Sequence, residues 1–369
     1  MPKRAVVVVG GGYGGTLVAE ALDEVADVVL IDPREAFVNV AASLRALTQP
    51  AWAHNAFFPY DSLLVRGRHV QDRAASVDVA GVVLAGGGRV DADFVVLATG
   101  STYAYPARPR KAESSIAEAL GDLQHTHSEL ASTGRVLILG AGPVGLELAG
   151  EIREVWPDKH VTIIDRGTEL LRGFLPEVRA ELLRQLSALE IDVRLDTRLV
   201  GLPPVPEGEA AAFVVTTDNG EEIGADIWFR SFGSRVNTGY LADGRLVDLT
   251  ADGLVPVTDR LTVVGHDNVY ALGDITNLPD PKMATWAQTQ AGVVVENLRG
   301  QLLGSAAHAV YTPVTESSQR IFLPLGPQGG VGQIPTPDGV TVPAPIEVVI
   351  QRKGRDLFTA RFAQRFHSA

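Results

Sequence analysis

The sequence predicts an α/β protein of two Rossmann-like dinucleotide-binding domains followed by a small C-terminal domain. Three observations predict it. "AVVVVGGGYGG" (Ala5 to Gly15) and "RVLILGAGPVGLE" (Arg135 to Glu147) each run an apolar strand into Gly-x-Gly-x-x-Gly. The third is length, because 369 residues are too many for one core when domains run to ~150.

In the first unit, Val6 to Val9 is a short apolar run of the kind buried in a parallel sheet, and Gly10, Gly12 and Gly15 follow at the required spacing. The first glycine permits the tight turn, the second admits a pyrophosphate to the backbone, and the third lets helix and strand pack closely. "TLVAEALDEV" reads as that helix, its N-terminal amides facing the phosphates. A second strand, "DVVLID", ends at Asp32, whose carboxylate can accept hydrogen bonds from a ribose 2′-hydroxyl. The second unit repeats this plan: "VLIL" precedes Gly140, Gly142 and Gly145, "VGLELAGEIREVW" is the helix, and "HVTIID" ends at Asp165. Strand, glycines, helix, strand and acid together read as two nucleotide sites rather than two glycine-rich turns. A carboxylate at Asp165 accepts the ribose hydroxyls of NADH and repels the 2′-phosphate of NADPH. NADH is favoured, and Arg166 next to it can soften the choice.

Composition narrows the class. Hydrophobic residues at 46% and charged residues at 21% fit a soluble globular chain, and no stretch approaches the ~20 apolar residues of a membrane span. A net charge of -12 argues against nucleic acid, whose partners carry basic stripes. The amino end, Met1-Pro2-Lys3-Arg4, enters a strand directly, with neither a signal-peptide apolar core nor a second-position glycine for myristoylation. A cytoplasmic location is the expectation.

Further along, "SVDVAGVVLAGGGRVDADFVVLATGS" reads as short strands, the last entering Thr99-Gly100, and "NVYALGDITN" as another strand ending in Gly273-Asp274. With both fingerprints in this order, the chain resembles the two-dinucleotide-binding flavoprotein oxidoreductases. That resemblance implies an FAD domain interrupted by an NAD(P)H domain. It also implies that the Ala-Thr-Gly strand crosses near the FAD pyrophosphate, with Asp274 near the ribityl and phosphate region. "NVAASLRA" (Asn39 to Ala46), "LPLGPQGGVGQI" (Leu323 to Ile334) and "KGRDLF" (Lys353 to Phe358) further resemble segments of the ferroptosis suppressor, apoptosis-inducing-factor-like family. Type II NADH dehydrogenases are more distant relatives. The resemblance covers nearly the whole chain, implies NAD(P)H:quinone reduction through FAD, and adds Arg45 and Gly233 to the cofactor-binding set.

The chain contains no cysteine. Thiol-pair relays, as in glutathione-reductase-like, thioredoxin-reductase-like and sulfide:quinone enzymes, and the sulfenate of NADH peroxidases are excluded. Direct transfer from flavin to an organic acceptor, oxygen or a protein carrier is what is left. Glu147 lies just past the third glycine of its fingerprint, and the resemblance implies that it orients the nicotinamide. The resemblance also places Lys353 near the isoalloxazine, with Phe358 packing close by. A cation ~4 Å from a reduced flavin anion, at an effective dielectric of ~20, contributes ~4 kcal/mol, or roughly 90 mV for a two-electron couple. Lys353 is thus a candidate for setting the potential or protonating a quinone oxygen.

Asp280-Pro281 predicts an N-cap and first residue for a helix through "KMATWAQTQAGVVVENL" that ends at Gly300. By family analogy its N-terminus points at the flavin pyrimidine edge. Gln288 and Gln290 resemble, in a different register, the glutamine-bearing quinone segment of type II NADH dehydrogenases, and read equally well as exposed polar residues. Trp286 reads as packing.

By these features residues 1–105 and 256–305 form the FAD domain, 106–255 the NAD(P)H domain and 306–369 a C-terminal domain on the flavin and acceptor side. "LPPVPEGEAAA" reads as a surface turn, and "IPTPDGVTVPAPI" as an extended Pro-rich connector. "DLFTARFAQRF" reads as a short amphipathic helix packed on the flavin domain in preference to a membrane. Departures from the family, Pro2, the additional Ser43 and the neutral "GPQGG", bear on which quinone is used. Three outlets for the electrons stay open: a quinone, favoured by the C-terminal runs; an iron–sulfur protein, as in a ferredoxin or rubredoxin reductase; or slow turnover, as in an NADH sensor.

Overall fold

The computed structural model describes residues 3–305, 308–314 and 319–367; Pro2, which bears on myristoylation, lies outside them. Ala5–Val9 is the central strand of a five-stranded sheet, with Asp27–Ile31 and Phe94–Leu97 beside it and Arg68–Val70 and Val269–Ala271 at the edges. All its pairings are parallel. Val6 to Val9 are buried, and a strand covered on both faces has no reason to alternate. Helix α1 (Tyr13–Leu22) follows the first fingerprint, and α2 (Val40–Thr48) follows the next crossover.

The second sheet runs Ile191–Arg194, His160–Ile164, Arg135–Leu139, Ile227–Arg230, again all parallel. It is entered through α3 (Ile116–Ser132), which starts at a reciprocal Ser115–Glu118 capping box. Helix α4 (Pro143–Val155) leaves the second fingerprint, and α5 (Pro176–Ala188) lies further on.

The return to the first unit comes earlier than position 255. Leu241, Leu246, Val247 and Val255 share a core with Val7, Val9 and Ile31 of the first sheet. The chains cross between units where Ser101–Thr102 pairs with Arg235–Val236. Burial of these aliphatics against the first sheet, rather than a compositional break, sets the junction.

Helix α6 (Ala284–Leu303) also differs from expectation at both ends. The carboxylate of Asp280 is taken by Gln290 Nε2 at 3.1 Å and the Val314 amide at 2.7 Å, so it caps nothing and the helix starts after Met283. Gly300 is buried inside the helix, which ends only where Gly304 turns left-handed at φ 73°.

In the C-terminal unit, Ile321–Leu325, Gly329–Pro335 and Thr341–Pro343 form an antiparallel sheet. The Pro-rich stretch is therefore a hairpin and not an extended connector, closed by the Thr336 amide on Val340 O at 2.7 Å. Short helix α7 (Ile346–Val349) continues as a π-helical turn, Ile350–Gly354, and α8 (Thr359–Arg365) follows. Leu323, Leu325 and Val331 share a core with Leu146 and Ile152 of α4 and Leu44 of α2. Phe362 on α8 packs into the first unit 4.7 Å from Phe37, ring centre to ring centre, as the amphipathic reading expected. The small unit thus straddles both larger ones. Among the described residues no helix is long and apolar enough to cross a membrane.

Candidate active site

Helices α1 and α4 begin at Gly12 and Gly142 with no side-chain cap, leaving their first amides for a ligand. At the third glycines space is absent: a Cβ on Gly15 would lie 1.9 Å from Gly10 O, and one on Gly145 2.0 Å from Gly140 O. At Gly12 and Gly142 a Cβ would meet nothing within 4 Å. The protein itself leaves room for a side chain at these two positions, and at the head of an uncapped helix that room suits a ligand.

The acids at the strand ends make matching bonds. Asp32 accepts from the Gly11 amide at 2.7 Å and the Arg34 amide at 2.9 Å; Asp165 accepts from the Ala141 and Gly167 amides, both at 2.7 Å. They differ two residues on, where Arg34 also grips Asp32 through its guanidinium at 2.8 Å and Gly167 offers no charge. Burial pushes the Asp32 carboxyl up, but Arg34 and the amides outweigh it and hold it below the ordinary range.

Two adjoining cavities run along the first unit. One, of about 280 Å³, is lined by Gly12, Thr99, Gly100, Glu147, Gly273, Asp274, Lys353 and Phe358. The other, of about 700 Å³, contains Gly10 and Asp32, and the two share Arg34, Thr99, Ser101, Tyr103 and Arg108. A third, of about 780 Å³, gathers Gly140, Gly142, Asp165, Arg166 and Gly233 on the second unit. Gly15 and Gly145 stand behind these walls as packing contacts.

Arg45 is the exception. Its guanidinium binds Glu151 at 2.7 Å and the carbonyls of Gly354 and Arg355 at 2.8 and 2.9 Å, buried between α2, α4 and the C-terminal unit. With four of its five N–H groups so engaged it ties the three units together, and it lines none of the three cavities. Gln290, which donates to Asp280 and accepts from the Gly273 amide at 2.7 Å, is likewise structural, whereas Gln288 lines the first cavity.

Glu147 and Lys353 meet, Nζ to Oε1 at 2.6 Å, although 206 residues separate them. Both are largely buried. Burial pushes the Glu147 carboxyl up and Lys353 opposes the rise. The lone-cation figure for Lys353 is therefore too large, because a carboxylate beside it offsets much of its field. Phe358 is held in the wall by two successive left-handed residues, Leu357 at φ 53° and Phe358 at φ 67°. Asn39 Nδ2 secures that turn by donating to Leu357 O at 2.7 Å. Strain of this kind persists only where its surroundings fix it.

Sequence reasoning missed Tyr13, Lys282 and, above all, Arg108. Arg108 is half-buried, its Nη1 is shut off from solvent and has no hydrogen-bond partner among the described residues, and both burial and the nearby Arg34 push its pKa down. A buried guanidinium nitrogen left without a partner beside a second cation is costly unless an anion joins them. With the uncapped α1 terminus and the open Gly12, these residues fit the pyrophosphate of FAD. No sequence signal singled out Arg108 within the run "PARPRK", where Arg110 and Lys111 follow it.

Two glycine-turn nucleotide grooves, one on each parallel sheet, define the class, an FAD- and pyridine-nucleotide-dependent oxidoreductase. The profile of the pyridine nucleotide-disulphide oxidoreductase family matches residues 4–291, and the chain belongs to that family. It is 30% identical over 334 residues to the human ferroptosis suppressor protein 1, covering 89% of this chain and 88% of that one. It is 26% identical to apoptosis-inducing factor homolog A of Dictyostelium discoideum, covering 90% of this chain and 85% of that one. Among solved structures, the sulfide:quinone oxidoreductase of Aquifex aeolicus shares the fold at TM-score 0.74 and 17% identity, over 98% of this chain and 91% of that one. A NAD-dependent persulfide reductase from A. fulgidus does so at TM-score 0.68 and 19% identity, over 86% of this chain but 61% of its own length.

Proposed function

We propose that the protein oxidises NADH and reduces a quinone-type acceptor through bound FAD, with no cysteine relay. The observation that carries this reading is the buried Lys353–Glu147 pair at 2.6 Å in the wall that also receives Phe358 and the first residues of α6. FAD, when bound, supplies a carrier that takes a hydride from one substrate and yields two electrons to another. The balanced conversion is NADH, a proton and a quinone to NAD+ and a hydroquinone.

In this reading the amides opening α1, with Arg34 and Arg108, hold the FAD pyrophosphate, and Asp32 faces the adenosine ribose. Gly140, Gly142 and Gly145 admit NADH, and Asp165 prefers it to NADPH because, among the described residues, no cation pairs with that carboxylate as Arg34 does with Asp32. Glu147 orients the nicotinamide and fixes the position of Lys353 Nζ through the 2.6 Å contact. Lys353 Nζ then presents a proton to the acceptor oxygen as charge develops there. Phe358 covers the site and excludes water.

Anaerobic stopped-flow tests this. Mixing the purified yellow protein with NADH is expected to bleach the flavin band, and a soluble ubiquinone or menaquinone analogue to restore it rapidly. Bleaching without restoration would refute the quinone outlet and turn attention to a protein carrier.

A further inference from the structure

The wall of the first cavity carries Arg34, Arg108, Lys282, Arg320, Lys353 and Arg361 against two carboxylates, Glu147 and Asp274. On a chain of net charge -12 this is a local reversal of sign. Most of these cations are engaged: Arg34 pairs with Asp32, Lys353 with Glu147, and Lys282 donates to Thr276 O at 2.8 Å. Arg108 sits at the junction of the two cavities, beside Arg34. Arg320 and Arg361 are different. Both are exposed on the C-terminal unit, and among the described residues neither guanidinium has a hydrogen-bond or ion-pair partner. Arg320 precedes Ile321 and Phe322, and Arg361 lies between Phe358 and Phe362; all four of those apolar residues line the same cavity. An apolar wall rimmed by two unengaged planar forks suits a molecule with a flat or aliphatic body and an acid group at one end.

We infer that the acceptor entering this cavity carries a carboxylate or comparable acid group, held by Arg320 and Arg361 while its ring lies against the apolar wall. This rests on the quinone reading above and names its substrate class, an anionic quinone. The redox step is unchanged: NADH provides the hydride, the one proton reaches the acceptor through Lys353 and is replaced from solvent, and the acid group takes no part.

The test compares a naphthoquinone bearing an ω-carboxyalkyl chain with its methyl ester, two compounds of equal ring chemistry that differ by one charge. Binding to the oxidised holoprotein is followed by the shift in flavin absorbance, and turnover by reoxidation after NADH. The acid is expected to bind at least about tenfold more tightly, the scale of one charge-assisted hydrogen bond. That preference should shrink as salt is raised, and the ratio of the two constants should collapse toward one in R320A/R361A. R320K/R361K should keep part of it, and the flavin spectrum and Tm report whether each variant is folded. Equal binding of acid and ester, or a preference that survives in R320A/R361A, overturns the inference. So does a Kd that improves only when phosphatidylglycerol vesicles are added, since the arginines would then serve a lipid surface. Failure of both compounds to reoxidise the NADH-treated protein overturns the quinone reading itself.

Discussion

Replacing Gly142 by alanine separates nucleotide binding from folding. Gly142 has φ -73° and ψ 176°, a conformation that alanine adopts freely, and its added Cβ would meet no atom within 4 Å. Without nucleotide the change should be neutral, or stabilising by ~0.4–1 kcal/mol through the unfolded chain. A pyrophosphate drawn against this backbone would collide with the new methyl, and overfilling a close contact costs ~1–3 kcal/mol. NADH affinity should therefore fall about 5- to 150-fold. Flavin reduction is measured by stopped-flow against NADH concentration, together with FAD content and Tm. The expected result is a raised Kd for NADH with FAD content and Tm unaltered. Gly145→Ala is the contrast, because its Cβ would lie 2.0 Å from Gly140 O, so Tm should drop as well. A wild-type NADH Kd in Gly142→Ala would refute the argument that this glycine is kept open for the ligand.

The other predictions probe the buried charges. Arg108→Met should release FAD, weakening its affinity about 5- to 150-fold for ~1–3 kcal/mol of lost anion contact, while the apoprotein gains stability because an unpartnered buried cation is gone. Fluorescence titration of apoprotein with FAD measures the first and thermal unfolding the second; wild-type affinity would remove Arg108 from the site. For Glu147, burial raises the folded pKa above its ordinary 4.5 despite Lys353. Its contribution to stability is then fully present below pH 4.5 and lost as pH rises through the folded value. Glu147→Gln should flatten that part of the Tm–pH profile, and a variant curve parallel to wild type would contradict the assigned environment.

What could be read from the sequence depended on how far apart the cooperating residues lie. Strand, glycine turn, helix and acid fall within about thirty residues of each other, and their spacing states both the fold and the nucleotide grooves. The Lys353–Glu147 pair spans 206 residues, and no local pattern joins them; the fingerprint's third glycine points to Glu147, whereas Lys353 rests on the family resemblance alone. Arg45 shows the limit of that route. A guanidinium in a family run can face a phosphate or a buried carboxylate, and here Glu151, 106 residues away, decides the matter. Asp280-Pro281 fails for a related reason: the cap signal is locally sound, but Gln290 and the Val314 amide compete for the same carboxylate and win. Arg108 carried no signal in either way, since its meaning comes from lying beside Arg34 with a buried Nη1 that, among the described residues, has nothing to bind. Functional charge in this fold is thus assembled by the tertiary structure around grooves whose backbone is already written in the glycines. Substitutions at Gly142 or Gly12 should therefore act on the ligand alone, whereas changes at Arg45 or Glu151 should act on how the three units fit together.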